Sequence, residues 1–200
     1  FIEPHSNDHF FNRGKFYGDD DDIRRFAFFS RAAMEFLLQS GKRPDIIHCH
    51  DWHTGLVPVL QWEIYQHLGL GQSRICYTIH NFKHQGVCGA DVLHATGLDR
   101  PEYYAADDRL GDPHHPGALN LMKGGIVYAN FVTTVSPTHA SEARDHGQGF
   151  GLEGTIQRHA AKYGGVLNGI DYAAWNPADD ALLHEHGVVA PKSFGYRLVK

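Results

Sequence analysis

Short apolar runs rich in β-branched residues alternate along this chain with longer stretches of helical spacing, and that alternation limits the possible folds more than any other feature. Asp19 to Asp22 lead into Ile23, Phe26, Ala27, Phe29, Ala33, Phe36 and Leu37, apolar positions three and four apart that predict a helix. Gly41 and Pro44 stop it, and Asp45 to His50 reads as a short buried strand. Helical spacing resumes from Thr54 to Leu68, Gly69 and Gly71 end it, and Ile75 to Ile79 is a second strand. The pattern then repeats: a helix around 118–130, the strand run Phe131 to Val135, helices over 137–144 and 151–163, and a strand over Gly165 to Asn168. Strands connected through helices imply a Rossmann-like α/β domain, a parallel sheet with helices on both faces.

In such sheets ligands collect beyond the carboxyl ends of the strands. Those ends carry His48 to His53, then His80-Asn81, Ser136-Pro137 and Asn168 to Asp171, so polar side chains converge on one edge. Two hundred residues favour one domain. Eighteen Lys and Arg against 23 Asp and Glu leave a formal charge of −5, with no basic excess for a nucleic acid or an anionic membrane. No apolar run approaches membrane-spanning length. Three cysteines without a CxxC pair argue against a disulfide framework or a zinc finger, and for a reducing compartment. The chain opens on Phe1-Ile2-Glu3-Pro4 without Met, as though inside a strand, so it is expected to be a cropped piece whose targeting signals cannot be judged.

His48 and His50 lie two residues apart on one strand, which puts both imidazoles on one face. A metal-dependent hydrolase of the amidohydrolase type would use such a pair, with His80 and Asp171 completing the ligands. The plainer reading is a strand histidine hydrogen-bonding in the interior. Thr78-Ile79-His80-Asn81 with Gln85-Gly86 brings donors and acceptors to the end of the second strand, which suits a hydroxyl-rich ligand; a loop capped by Asn81 and Gln85 is the alternative. The glycine-rich turn Gly147 to Gly154 follows a helix rather than a strand, which argues for a plain loop over a phosphate cradle. Gly124 and Gly125 predict close helix packing, with Lys123 extended to solvent.

Taken in order, these pieces resemble the bacterial glycogen synthases and plant starch synthases. The motifs are His50-Asp51-Trp52-His53-Thr54-Gly55-Leu56, Thr78-Ile79-His80-Asn81 with Gln85-Gly86, Lys123-Gly124-Gly125-Ile126, Thr133 to Pro137, Gly149 to Gly154, and Asn168-Gly169-Ile170-Asp171 with Trp175-Asn176-Pro177. Phe1 to Pro4 and Phe11-Asn12-Arg13-Gly14 through Ser30 fit the same family, so the likeness runs from residue 1 to about 180. It implies most of the amino-terminal domain of a GT-B type glycosyltransferase, incomplete at its start. Residues 181–200 have no assignment, and the second, nucleotide-sugar-binding domain has no counterpart. The family's lysine- or valine-Gly-Gly-Leu loop also has none.

The resemblance further implies transfer of glucose, with retention, from a nucleotide diphosphate glucose, ADP-glucose first, to the non-reducing end of an α-1,4-glucan. No cofactor and no metal are implied, and the setting would be a bacterial cytoplasm or a plastid stroma. His80 would hydrogen-bond the transferred glucose, Asn81 and Gln85 would support its loop, Asp51 and Trp52 would face the acceptor, and Asn168 would line the cleft near the donor. The 200 residues alone are expected to be inactive, because the diphosphate-neutralising Arg and Lys belong to the second domain. The rivals are the metal-dependent hydrolase on His48 and His50 and a non-catalytic glucan-binding remnant.

Overall fold

The structure, a computed structural model, describes residues 14–15 and 18–176. The expectations for Phe1 to Arg13 and for residues 177–200 therefore lie outside the described residues. Two compact units divide the chain, residues 1–166 and 167–200.

In the first unit, helix α1 (Asp22–Gln39) precedes strand β1 (Ile46–His50), and α2 (Leu56–Glu63) carries the chain to β2 (Arg74–Ile79). A two-residue strand β3 (Val87–Cys88), a short helix α3 (Pro101–Tyr104) and β4 (Leu119–Asn120) follow. Then come α4 (Leu121–Tyr128), β5 (Phe131–Thr134), α5 (Pro137–Asp145), α6 (Glu153–Arg158) and β6 (Tyr163–Gly165). The main sheet has the order β1-β2-β5-β6 and every pairing in it is parallel, as the alternation required. β3 and β4 form a small antiparallel pair to one side.

The two faces of the sheet differ. Cys49, Tyr77, Ile79 and Val132 are buried on one face, beneath helices whose own buried residues include Leu60 and Ile126. Gly125 of α4 lies so close to the Tyr77 ring that a Cβ there would stand 2.4 Å from it, which is the close packing expected of the Gly124-Gly125 pair. On the other face, one residue along each strand, stand His48, His50, Thr78 and Thr133.

Several expectations need correction. β1 is an edge strand with only Cys49 buried, not a buried strand, because no partner lies beyond it among the described residues. The last strand is Tyr163–Gly165; the apolar pair Val166 and Leu167 that suggested residues 165–168 is exposed. Glycine is required at the strand's end, since a Cβ on Gly165 would meet the Ser136 carbonyl at 2.1 Å. Phe29 and Phe36 of the expected α1 stripe are exposed, and the helix buries Ala27, Ser30 and Met34 together with Arg25, whose guanidinium pairs with Asp22 at 2.7 Å. Lys123 is fully buried rather than extended to solvent: its Nζ donates to the Gly111 carbonyl at 2.5 Å and to Asp107 at 3.1 Å, which compensates its charge.

Candidate active site at the carboxyl edge of the sheet

The end of β1 sets the site. Asp51 N makes the last ladder bond, to Thr78 O at 3.0 Å, and the chain then turns through Asp51 itself, at φ 54° and ψ −176°. A non-glycine residue in that region is strained, and such strain persists only where surrounding contacts enforce it. Here the enforcing contact is the side chain. Asp51 Oδ1 accepts from the backbone amides of His80 at 2.8 Å and Asn81 at 3.4 Å, so a carboxylate from the first strand fastens the loop that leaves the second. The Thr54 hydroxyl closes the turn, accepting from His50 N and donating to His50 O, both at 2.7 Å.

On the second face the side chains form a continuous polar row. The hydroxyls of Thr78 and Thr133 are 2.7 Å apart, and His48 Nε2 is 2.7 Å from Thr78 Oγ1. The rings of His48 and His50 lie 4.3 Å apart, and His50 Nδ1 is 3.1 Å from His80 Nε2. Burial, with the neighbouring rings of His48 and His80, holds His50 below the usual imidazole range against the opposing pull of Asp51.

Gln85 joins three loops. Its Nε2 donates to the carbonyls of Phe82 at 2.9 Å and Phe150 at 3.1 Å, and its Oε1 accepts from Asn120 Nδ2 at 2.6 Å. Asn120 caps α4, its Oδ1 accepting from Lys123 N, and its Nδ2 also donates to Asp112. The first amides of α4 go to the carbonyls of Gln85 and Gly86. The glycine-rich turn is thereby strapped to the His80 loop.

Asp51, Trp52, His80, Asn81 and Gln85 are thus grouped at one edge. Asn81 is exposed, with its Oδ1 accepting from Lys83 N. Trp52 is half-buried: its indole stacks on His53 at 4.2 Å, meets Phe26 edge-on at 5.4 Å, and lies against Gly86, where a Cβ would come within 2.6 Å. Asn168 belongs to the second unit and is exposed there; in that unit Asp171 Oδ1 accepts from the amides of Ala173 and Ala174. The role of Thr78, Thr133 and Asn120 went unread from the sequence, although the spacing of 78 from 80 and of 48 from 50 carried the signal. Among the described residues no three His, Cys, Asp or Glu side chains are grouped to hold a metal ion, and His48 and His50 are spent on Thr78 and His80. That geometry does not favour the hydrolase reading.

A polar edge at the carboxyl ends of a parallel, helix-flanked sheet defines a Rossmann-like ligand-binding domain. Residues 3–158 match the starch synthase catalytic domain. The chain belongs to that family, and its fold is that of a GT-B glycosyltransferase domain. It is 70% identical over 93% of its length to glycogen synthase 2 of Methylococcus capsulatus, of which it covers 38%. It is 61% identical over 98% of its length to a probable glycogen synthase 2 of Synechocystis, of which it covers 39%. The catalytic domain of starch synthase IV from Arabidopsis thaliana, bound to ADP and acarbose, superposes with a TM-score of 0.80 at 51% identity, over 88% of this chain and 36% of that one. The chain therefore spans little more than a third of the length of these relatives.

Proposed function

We propose that this chain is the acceptor- and sugar-contacting part of a glucan synthase that moves glucose from a nucleotide diphosphate glucose, ADP-glucose first, to the end of an α-1,4-glucan. The observation that carries the reading is the strand-end edge, where Asp51 fastens the His80 loop, in a chain 70% identical to a glycogen synthase. The ADP and acarbose bound to the Arabidopsis neighbour support a nucleotide and a glucan-like ligand as the two partners.

In this mechanism His80 hydrogen-bonds the transferred glucose. Asn81 and Gln85 keep its loop in shape, the first through its turn with Lys83 and the second through the carbonyls of Phe82 and Phe150. Asp51 and Trp52 border the acceptor, and Asn168 contacts the donor side. A glucosyl group departing with oxocarbenium character needs fixed dipoles and oriented hydroxyls, and a preorganised edge of donors and acceptors supplies both. The test is glucosyl transfer from ADP-glucose to glycogen by the complete gene product. Turnover that falls by roughly 10² or more in His80→Ala, with nucleotide affinity retained, is expected for a contact made chiefly in the transition state. Full activity in that variant would refute the assignment of His80.

A further inference from the structure

His80 is held twice. Asp51 fixes its backbone amide, and a second residue, His50, meets its ring, with His50 Nδ1 3.1 Å from His80 Nε2. Both rings belong to exposed residues, so packing alone does not set their orientation. His80 Nδ1 has no hydrogen-bond partner among the described residues.

We propose that His50 is a positioning residue for His80, holding Nε2 so that the ring keeps one orientation and presents Nδ1 as the atom that meets the sugar. The inference rests on the reading of His80 as the sugar contact, and it adds the residue through which that contact is aimed.

The geometry around His50 suits the task. Its backbone is clamped on both sides by the Thr54 hydroxyl, so the Cα–Cβ direction is fixed. Its ring lies 4.3 Å from that of His48 at 34°, and His48 is itself anchored on Thr78, which is anchored on Thr133. The row therefore passes the position of the rigid sheet interior outward to His80, across β5, β2 and β1. One proton lies in the bond between the two imidazoles, on whichever ring donates, and in either case the bond holds the His80 ring by its Nε2. Without His50, His80 keeps its backbone anchor on Asp51 but its ring is free to turn.

The experiment has two arms. In the 200-residue chain, side-chain couplings and ring-to-ring Overhauser contacts of His80 are expected to show one ring orientation, and an average over several in His50→Ala. In the complete gene product, His50→Ala is expected to lower kcat by about 10–10²-fold, the range that misorientation of a contact group brings. KM for nucleotide sugar and glucan should stay within about twofold, since the substrates' own contacts are untouched. His50→Asn, whose side-chain amide sits where Nδ1 does, should recover a large part of kcat and restore one ring orientation; if the alanine variant is unstable, His50→Leu serves as the variant without the contact. A His80 ring with the same single orientation in the parent and in the variant lacking the contact overturns the proposal. A loss of activity in His50→Ala that His50→Asn does not recover, with the ring orientation unchanged, overturns it too. If instead His80→Ala keeps full turnover, the sugar-contact reading fails, and the spectra still decide whether His50 orders the ring.

Discussion

Asn120 Nδ2 donates to Gln85 Oε1 at 2.6 Å, and that bond joins the cap of α4 to the loop that carries His80, beside the amides of Leu121 and Met122 on the carbonyls of Gly86 and Gln85. The remaining valences of Gln85 go to backbone carbonyls of Phe82 and Phe150, so a single side chain holds three segments distant in sequence. Gln85→Leu strands those acceptors and is expected to cost about 1–3 kcal/mol of stability. Gln85→Glu keeps an acceptor for Asn120 but turns a carboxylate toward two carbonyl oxygens. It should therefore be worse than Gln85→Leu at pH 7 and improve relative to it near pH 4, where the carboxyl is protonated and donates again. Urea unfolding of the three chains at both pH values checks the order.

Gly125 gives a test of packing in which two effects compete. Alanine is the better helix former by about 1 kcal/mol. Its Cβ, however, would stand 2.4 Å from the ring of Tyr77, which is fully buried and cannot swing away. Overpacking of that kind costs about 1–3 kcal/mol or more, so Gly125→Ala is expected to be destabilised overall. Gly154 of α6, where a Cβ meets nothing within 4 Å, is the control: Gly154→Ala should be neutral or stabilised. Equal melting temperatures for the two variants would contradict the close approach of α4 to β2.

The strands and their order of use were legible because parallel, alternating elements leave a period that survives without tertiary information: β2, β5 and α5 lie within a residue or two of their expected bounds. What escaped was decided by contacts between distant residues. Nothing local distinguishes a lysine that reaches solvent from Lys123, which reaches Gly111 and Asp107 instead. Val166 and Leu167 have strand character, yet both are exposed and the pairing with β5 is made by Tyr163 to Gly165, with Val166 N adding a last bond to Thr134 O at 2.8 Å. The edge grouping of Asp51, His80 and Asn81 followed from strand ends alone. The bond from Asp51 to two amides, and the row from Thr133 to His50, did not, since both require the register of β1 against β2 and β5.

Stability should fall on acidification, in two stages of the same sign. Burial is the largest cause in each of His50, His53 and His159, and all three titrate below the usual imidazole value in the folded chain. The unfolded chain takes up those protons first, near pH 6.5, so the contribution is complete above that pH and is lost as pH falls through the folded values. Hydrogen bonds from Lys123 and then Arg158 hold Asp107 low. In Asp112, burial pushes the carboxyl up, but bonds from Asn120, His115 and two backbone amides outweigh it. Their contribution is present above about pH 4 and disappears below it. Melting temperatures at pH 7.5, 5.5 and 3.5 should decline at each step, and His159→Gln should flatten the first. A chain that melts higher at pH 5.5 than at 7.5 would reverse the sign.

Trp52 sits where a packing role and an acceptor role overlap, and one substitution separates their shares. The indole stacks on His53 and touches Phe26 and Gly86, so Trp52→Ala removes real contacts. Because the residue is half-buried, the loss should fall short of the 3–5 kcal/mol typical of a fully buried tryptophan, at about 1–3 kcal/mol. A purely structural indole would show only that loss. One that also borders the acceptor offers part of a flat apolar surface beside Asp51, and sugar rings present complementary faces between their hydroxyls. For the complete gene product we therefore expect Trp52→Ala to melt lower and, in the folded enzyme, to show a KM for glycogen raised several-fold, with the KM for ADP-glucose nearly unchanged. Trp52→Phe keeps an aromatic against His53 and should recover most of the stability while recovering less of the glycogen KM. If both variants bind glycogen as the parent does and differ only in melting temperature, Trp52 belongs to the packing of α1 against the strand end and not to the acceptor path.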